Sequence, residues 1–456
     1  MRRPGQWQLR SAVGTLAGAL ALGAFAATAP AMAAQASTGP VSTTPASGTP
    51  ELAPTGTTEQ IRQIVQCGST MYAVGKFTSI SQGTGSPISR NNVFSFSANA
   101  PYTINSWNPD VNGKVNTIAL TSDCSSAFIG GQFTQVGGTS AKNLAKISTS
   151  TGAVDTSFGH NAQAQVETML LTGGHLLTGG YFTSINGTAR SYYASLDPST
   201  GKDDGYLALN ITGPGTASNP TRIYNQQLSP AGTSPAQVLV EGEVTSVAGQ
   251  SRQQIFMIDL GSGSATLDSW HPSIFNDSCS VKEPFYLQDA AWGPGGNTVY
   301  TVSTGLHLAN WNGSFPLTGP CDVVMGFPAS GGSVQPAWQN FTGCDSLFSV
   351  ATDSNTVYIG GHERWADNPN ACNHRGSGGV NAPGMAGFKI ASNIANNTLL
   401  RNSAGTAGLY SRARGLGADD MLLTSAGLWI ASDNAQNVDK CQGVTGHAGL
   451  CFLPGS

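Results

Sequence analysis

Strand-type and turn-type segments alternate along nearly the whole chain. Between 115 and 155 the order is clear. Val115 to Leu120 reads as a buried strand, Asp123-Cys124-Ser125-Ser126 as a turn and Ala127 to Gly131 as a second strand. Gln135-Val136-Gly137-Gly138 is another turn, Leu144 to Ile147 a third strand alternating in and out, and Ala153-Val154-Asp155 a short outer strand. That is four strands in one unit. The unit recurs. Its second strand ends in a small-residue pair at Gly130-Gly131 and Gly179-Gly180, and the same slot falls at Gly75, Gly242, Gly361, Ser303 and Ser432. With these seven residues as marks, successive copies lie 49 to 71 residues apart. The third-strand slot is filled by Val93 to Phe96, Tyr193 to Asp197, Ile255 to Asp259 and Gly387 to Ile390. No stretch of ten or more residues shows helical periodicity.

A repeat of this length with strand content means stacked or radial β units. Seven units of four strands predict an all-β fold, a seven-bladed β-propeller of four-stranded antiparallel blades, spanning 58–456. Closing the ring removes exposed sheet edges. Closure requires the two chain ends to share a blade, with either Glu51 to Ala53 or Leu450 to Leu453 supplying the missing strand. The loop after the fourth strand carries one aromatic per unit at Trp107, Phe158, Trp270 and Trp338. Packing between neighbouring sheets is the first role expected of them, and a ligand platform the second.

The run Gly-Gly-x-Phe-Thr-x-Val-Gly-Gly at Gly130 to Gly138 is followed by Leu144 to Ile147 and by Thr-Gly-x-x-Asp-x-x-Phe at Thr151 to Phe158. Together these resemble the delta-sixty repeat of secreted bacterial β-propellers. Gly179 to Gly187 is a second match, and Gly360-Gly361-His362-Glu363-Arg364-Trp365 resembles a loop of actinobacterial members. The resemblance covers roughly residues 60 to 440. It implies the fold and an extracellular location, and no activity.

Residues 1–33 read as a signal peptide. Arg2, Arg3 and Arg10 give a positive start, Ala12 to Ala27 is apolar, and Ala31-Met32-Ala33 is a cleavage site. No later stretch is apolar enough to span a bilayer. Residues 34–57, rich in Ser, Thr, Pro and Ala, are expected to form a disordered spacer. The eight cysteines after the signal are even in number, so disulfides are expected. Cys67 with Cys124, which hold similar places in two repeats, and Cys441 with Cys451 are the candidate pairs. Charged residues make up 10% of the chain and net charge is −4, which does not suit nucleic acid.

Two groups of residues are candidates for binding. The sixth copy abandons the repeat after Gly361 and runs on as His362, Glu363, Arg364 and Trp365, a base, an acid, an anion donor and a stacking face. The competing account is a loop knitted to itself. The second group interrupts the inner strands near one register: Arg62, Asn116, Glu167, Asn225, Asp289 and Arg414. These either bind a sugar or small polar ligand over the channel or simply pair with one another. If Glu167 and Asp289 faced each other, acid–base glycan cleavage would follow. No metal or other cofactor is expected, because the histidines are scattered and Asp197 to Asp203 aligns with an ordinary turn. The expected function is a monomeric, secreted binding or scaffold module for polysaccharide or protein. The alternative is an extracellular glycan hydrolase or lyase with its site over the channel.

Overall fold

The computed structural model describes residues 40–217, 219–276, 286–305, 315–391, 397–401, 410, 417–434 and 440–455. Among them there is no α-helix, only two short 3-10 turns at Ser273–Asn276 and Pro294–Gly296. The rest is strand and turn, arranged as a β-propeller. Its inner strands are β1 (Gln60–Cys67), β2 (Lys114–Leu120), β3 (Val166–Thr172), β4 (Arg222–Leu228), β5 (Tyr286–Trp292), β6 (Leu347–Thr352) and β7 (Asp420–Thr424). Each pairs with the strand that follows it, and that strand with a third. All seven contribute to the wall of one channel.

The strand number varies from sheet to sheet. A fourth strand is present in the sheets of β4, β5 and β6, at Ala265–Leu267, Trp338–Phe341 and Thr398–Leu399. In the sheets of β1, β2 and β3 the fourth position shrinks to a single bridge, Phe96 with Ile104, Ile147 with Val154 and Leu196 with Asp203. The Gln135-Val136-Gly137-Gly138 turn is itself the start of a small ribbon, with Gln135–Val136 paired to Thr139–Ser140. Gly137 and Gly138 sit at φ 54° and 78°, the left-handed values a two-residue hairpin turn requires.

The marker glycines have a specific cause. In β2, Val115 pairs with Gly131 and Thr117 with Gly130, so Asn116 is an extra, bulged residue. The bulge pushes the inner strand's backbone toward its partner. A Cβ on Gly131 would lie 2.2 Å from the Lys114 carbonyl oxygen, and one on Gly130 would lie 2.5 Å from Val166 of the next sheet. The pair is therefore small because one residue faces a bulge and the other a neighbouring sheet. Gly131→Ala should cost about 2 to 3 kcal/mol by overpacking. Gly138→Ala, which meets no atom within 4 Å but keeps its positive φ, should cost about 1 kcal/mol. Calorimetric melting of the two variants separates these values; equal losses would refute the account.

Aromatics pack between sheets. Trp107 is buried, meets Tyr72 edge-on at 5.3 Å and donates Nε1–H to the Ser148 carbonyl at 3.0 Å. Trp338 meets Phe388 of the next sheet at 5.1 Å, and fully buried Trp270 donates to the Pro328 carbonyl at 2.8 Å.

Both chain ends take part in closure, which corrects the spacer expected over 34–57. Residues 41–53 lie along the sheets, while 54–57 are exposed. Leu450–Pro454 is the third strand of the last sheet, and the N-terminal arm runs along its open edge. Val41 bridges Gly455, Ser42 N–H reaches the Pro454 carbonyl at 2.7 Å and Ala46 N–H the Phe452 carbonyl at 2.9 Å. Pro50–Leu52 continues as a strand against Ser79–Gln82 of the first sheet. The composition of 40–57 is poor in apolar residues, but an unpaired strand edge offers backbone partners that need no apolar side chain. The signal peptide expected over 1–33 and the start of the spacer lie outside the described residues.

Disulfides join Cys67 with Cys124, Cys344 with Cys372 and Cys441 with Cys451. Cys321 is also disulfide-bonded, while Cys279 lies outside the described residues. No helix among the described residues is long and apolar enough to cross a membrane.

Candidate functional site

The same bulge recurs in six inner strands, and in each the extra residue lines the channel. These residues are Arg62, Asn116, Glu167, Tyr224, Gln288 and Phe348. A bulge turns a side chain out of the pleat, and here it turns one from each strand toward the axis. The cavity they share is about 510 Å³. Its character changes along the axis. Near the bulges its wall is charged or polar; toward the ends of the strands it is lined by Leu120, Leu171, Leu228 and Leu422.

Gln63, Thr117, Asn225, Asp289 and Ser349, each just after a bulge, form with Asp420 of the last sheet a second ring that ties sheets together. Gln63 Oε1 accepts Ile118 N–H at 2.7 Å, and Thr117 Oγ1 accepts Met169 N–H at 3.0 Å. Asn225 Nδ2 donates to Asp289 Oδ1 at 2.6 Å, and Asp289 Oδ2 accepts Val350 N–H at 2.8 Å. Ser349 donates to the Ala418 carbonyl at 2.8 Å, and Asp420 Oδ2 accepts Ile64 N–H at 2.8 Å, which links the last sheet to the first. Each bond joins one inner strand to the next, or to the residues just before it.

This pattern corrects the register assumed from the sequence. Arg62, Asn116 and Glu167 are bulge residues, but Asn225 and Asp289 stand one place later, where Tyr224 and Gln288 are the bulged positions. A bulge places two consecutive residues opposite one partner, so counting in steps of two slips by one. Asn225 and Asp289 are brought together as a clasp. Asn225 also donates to Glu241 at 2.8 Å. Asn116, though on the bulge ring, likewise donates to the next sheet at the Val166 carbonyl, at 3.0 Å. Glu167 accepts a short hydrogen bond from Gln165. Arg62 donates to Gln60 Oε1 at 3.0 Å. Arg414 lies outside the described residues.

Burial sets the electrostatics. It pushes the carboxyl of Asp289 up to about 7, against the opposing pull of the Val350 N–H. It raises Asp419 to about 7, although the nearby Arg62 charge works the other way, and Asp420 to about 6. Glu243 rises to about 7 through burial despite Arg222, and burial next to Asp289 drives Glu241 upward too. All of these are raised above the ordinary carboxylate range near 4. The folded chain therefore holds more protons than the unfolded one between about pH 4 and 7. The contribution of these groups is full below that window and is lost as pH rises through it. The melting temperature should be higher at pH 5 than at pH 8; a flat or rising profile would contradict this.

The His362 segment is held by its own ribbon and by the preceding Cys344 and Asp345. Arg364 is paired in a fork with Asp345, both contacts at 2.7 Å, and also donates to Asn373 at 3.1 Å. Its guanidinium lies 4.2 Å from the centre of the Trp365 ring. Trp365–Ala366 pairs with Val380–Asn381 as a ribbon, and Cys372 ties the loop to Cys344. Glu363 is fully buried, and its carbonyl accepts Gly384 N–H at 2.7 Å. His362 alone approaches the channel: its ring meets Phe348 edge-on at 4.8 Å, behind the channel wall. Asp197, in the turn with calcium-like spacing, accepts Ser199 N–H, Thr200 N–H and the Thr200 hydroxyl, an ordinary Asx arrangement.

Several residues of the site were not singled out from the sequence: Arg222, Tyr224 and Glu243 at the mouth, and Gln63, Thr117 and Asp420 in the clasp ring. A signal existed. Arg62-Gln63, Asn116-Thr117, Glu167-Thr168 and Gln288-Asp289 are adjacent polar pairs inside strands. A pair where period 2 allows one polar residue marks a bulge.

No family model and no curated protein sequence matches the chain. Solved structures with a similar fold include that of U3-55K, 9% identical, covering 87% of this chain and 95% of that one at a TM-score of 0.47. Another is the WD40 β-propeller domain of Doa1, 9% identical, covering 89% and 96% at a TM-score of 0.43.

Proposed function

We propose that this chain is a secreted seven-bladed propeller that acts as an extracellular binding module for polysaccharide or protein, with the bulge ring as its contact site. The observation that carries this is the variety of that ring. The repeated backbone places a bulge in six of the sheets but needs no particular side chain on it. Yet the ring holds a cation, an acid, two amides and two aromatics around one cavity of about 510 Å³. Such a pocket has the size and mixed lining of a small-ligand or chain-end site. The delta-sixty resemblance and the Arg2 to Ala33 export signal support the location.

The hydrolase alternative loses support. The Glu167–Asp289 pair that would have favoured it is not free to work together, because Asp289 is committed to Asn225, Ala290 and Val350.

A glycan array probed with the mature protein and with Glu167→Ala and Arg62→Ala variants tests the reading. At least one glycan class should bind, and each variant should weaken it tenfold or more without lowering the melting temperature. No bound glycan, or binding indifferent to both variants, would remove the channel site. Mass spectrometry of the exported protein should find an N-terminus near Ala34; an intact Met1 would refute export with cleavage.

A further inference from the structure

Arg222 opens β4 and lines the cavity at the charged mouth. Its guanidinium is set beside two tyrosine rings, 5.3 Å from the centre of Tyr181 and 4.9 Å from that of Tyr224. Cation–π contacts of this kind hold the group in place. The edge is poorly used. The nearest carboxylate oxygen, on Glu243, is 3.6 Å away, too long for a hydrogen bond. Both Arg222 Nε and Glu243 Oε1 are buried and make no hydrogen bond among the described residues. Nε is shut away, but 28% of the side chain is exposed, so the terminal nitrogens of a fork held in place can take an anion bidentately.

The surrounding charge agrees. Lys114 senses Arg62, Arg222 and Lys76, and its amine is held below the ordinary lysine range by burial and by these cations. Glu167 is the acid that offsets them. Glu243 and Asp419, raised to about 7 by burial, carry only part of a charge near neutrality. The mouth is therefore short of negative charge. Behind Arg222 the cavity offers Asn116 and Gln288 amides and the Tyr224 and Phe348 rings, the groups that hydrogen-bond and stack on a pyranose.

We propose that the channel mouth binds an acidic sugar residue, its carboxylate or sulfate held on the edge of Arg222 and its ring inside the bulge ring. This rests on the binding-module reading and names the class of ligand. Glu243 is then an internal competitor for Arg222. Tyr181, Tyr224, Glu167 and Lys114 also face the guanidinium, and Arg62 and Asp419 stand at the same mouth. As pH falls from 8 to 6, Glu243 takes up a proton and its charge no longer competes for the arginine, whereas a uronate, with an ordinary carboxyl pKa near 4, stays charged. Affinity should rise over that interval.

The test is calorimetric titration with digalacturonate, its dimethyl ester, a 6-sulfated N-acetylglucosamine and inorganic sulfate. One of the two acidic sugars should bind at least tenfold tighter than the ester, and which one identifies the anion. Arg222→Lys keeps the charge but loses the fork, and should weaken that binding tenfold or more. Glu243→Gln removes only the competitor, so it should tighten binding and flatten its pH dependence; it serves even if the arginine variant does not fold. Equal binding of the ester, inorganic sulfate binding as tightly as either sugar, or a folded Arg222→Lys variant with unchanged affinity would each overturn the proposal. If neutral glycans bind and depend on Glu167 while acidic ones do not, the binding-module reading stands and this inference falls. If no glycan binds at all, both fall.

Discussion

Removing the chain up to residue 46 should destabilise the folded protein by about 3 to 5 kcal/mol and make it associate. The arm contributes two backbone bonds to the last sheet, Ser42 to Pro454 and Ala46 to Phe452. It adds two bonds with tyrosines: Val41 N–H to the Tyr358 hydroxyl at 3.0 Å and the Tyr410 hydroxyl to the Val41 carbonyl at 2.9 Å. At roughly 1 kcal/mol for each bond, with a similar amount for burying Val41, the sum falls in that range. Association follows from geometry, because Leu450–Pro454 would become an open edge strand. Urea unfolding of full-length and shortened protein, together with light scattering, measures both effects. A shortened protein that is monomeric and equally stable would show that the arm is only draped over the sheet.

Asp289→Ala should cost about 3 kcal/mol, and Asp289→Asn much less. The carboxylate accepts from Asn225 at 2.6 Å, Ala290 at 2.9 Å and Val350 at 2.8 Å. Alanine leaves buried donors without acceptors, at about 1 to 3 kcal/mol for the site. Asparagine keeps one acceptor oxygen, for Asn225 and Ala290, but turns its NH2 toward the Val350 N–H, while it removes a charge that burial disfavours. The asparagine variant should therefore lie closest to the wild type at pH 8, where Asp289 is ionised, and fall further behind it at pH 5. Melting temperatures of the three proteins at both pH values decide it. Similar losses for alanine and asparagine at pH 8 would mean that the negative charge itself holds the sheets together.

The two rings show how far the sequence can be read. Arg62, Asn116 and Glu167 could be picked out as polar interruptions of apolar strands, and they do line the channel. Asn225 and Asp289 look the same in the sequence and serve differently, because a bulge shifts the register by one and only the pairing partner reveals where it falls. Arg222 could not be selected, since nothing in the chain places Tyr181, from another sheet, beside it. The His362 segment stood out by breaking the repeat, yet Asp345, some twenty residues earlier, takes up its arginine.

What the chain by itself determined is the repeat: strand, turn and strand with a small-residue pair, recurring often enough to require a closed β structure. That is local information, carried by period 2 and by residues too small to clash with a neighbour. What only the tertiary structure decided is which side chains meet across sheets. That includes the arm that closes the last sheet, the clasp from Asn225 through Asp289 to Val350, and the Arg222 edge at the mouth. Each joins residues distant in sequence, brought together by the curvature of a ring that no single repeat encodes.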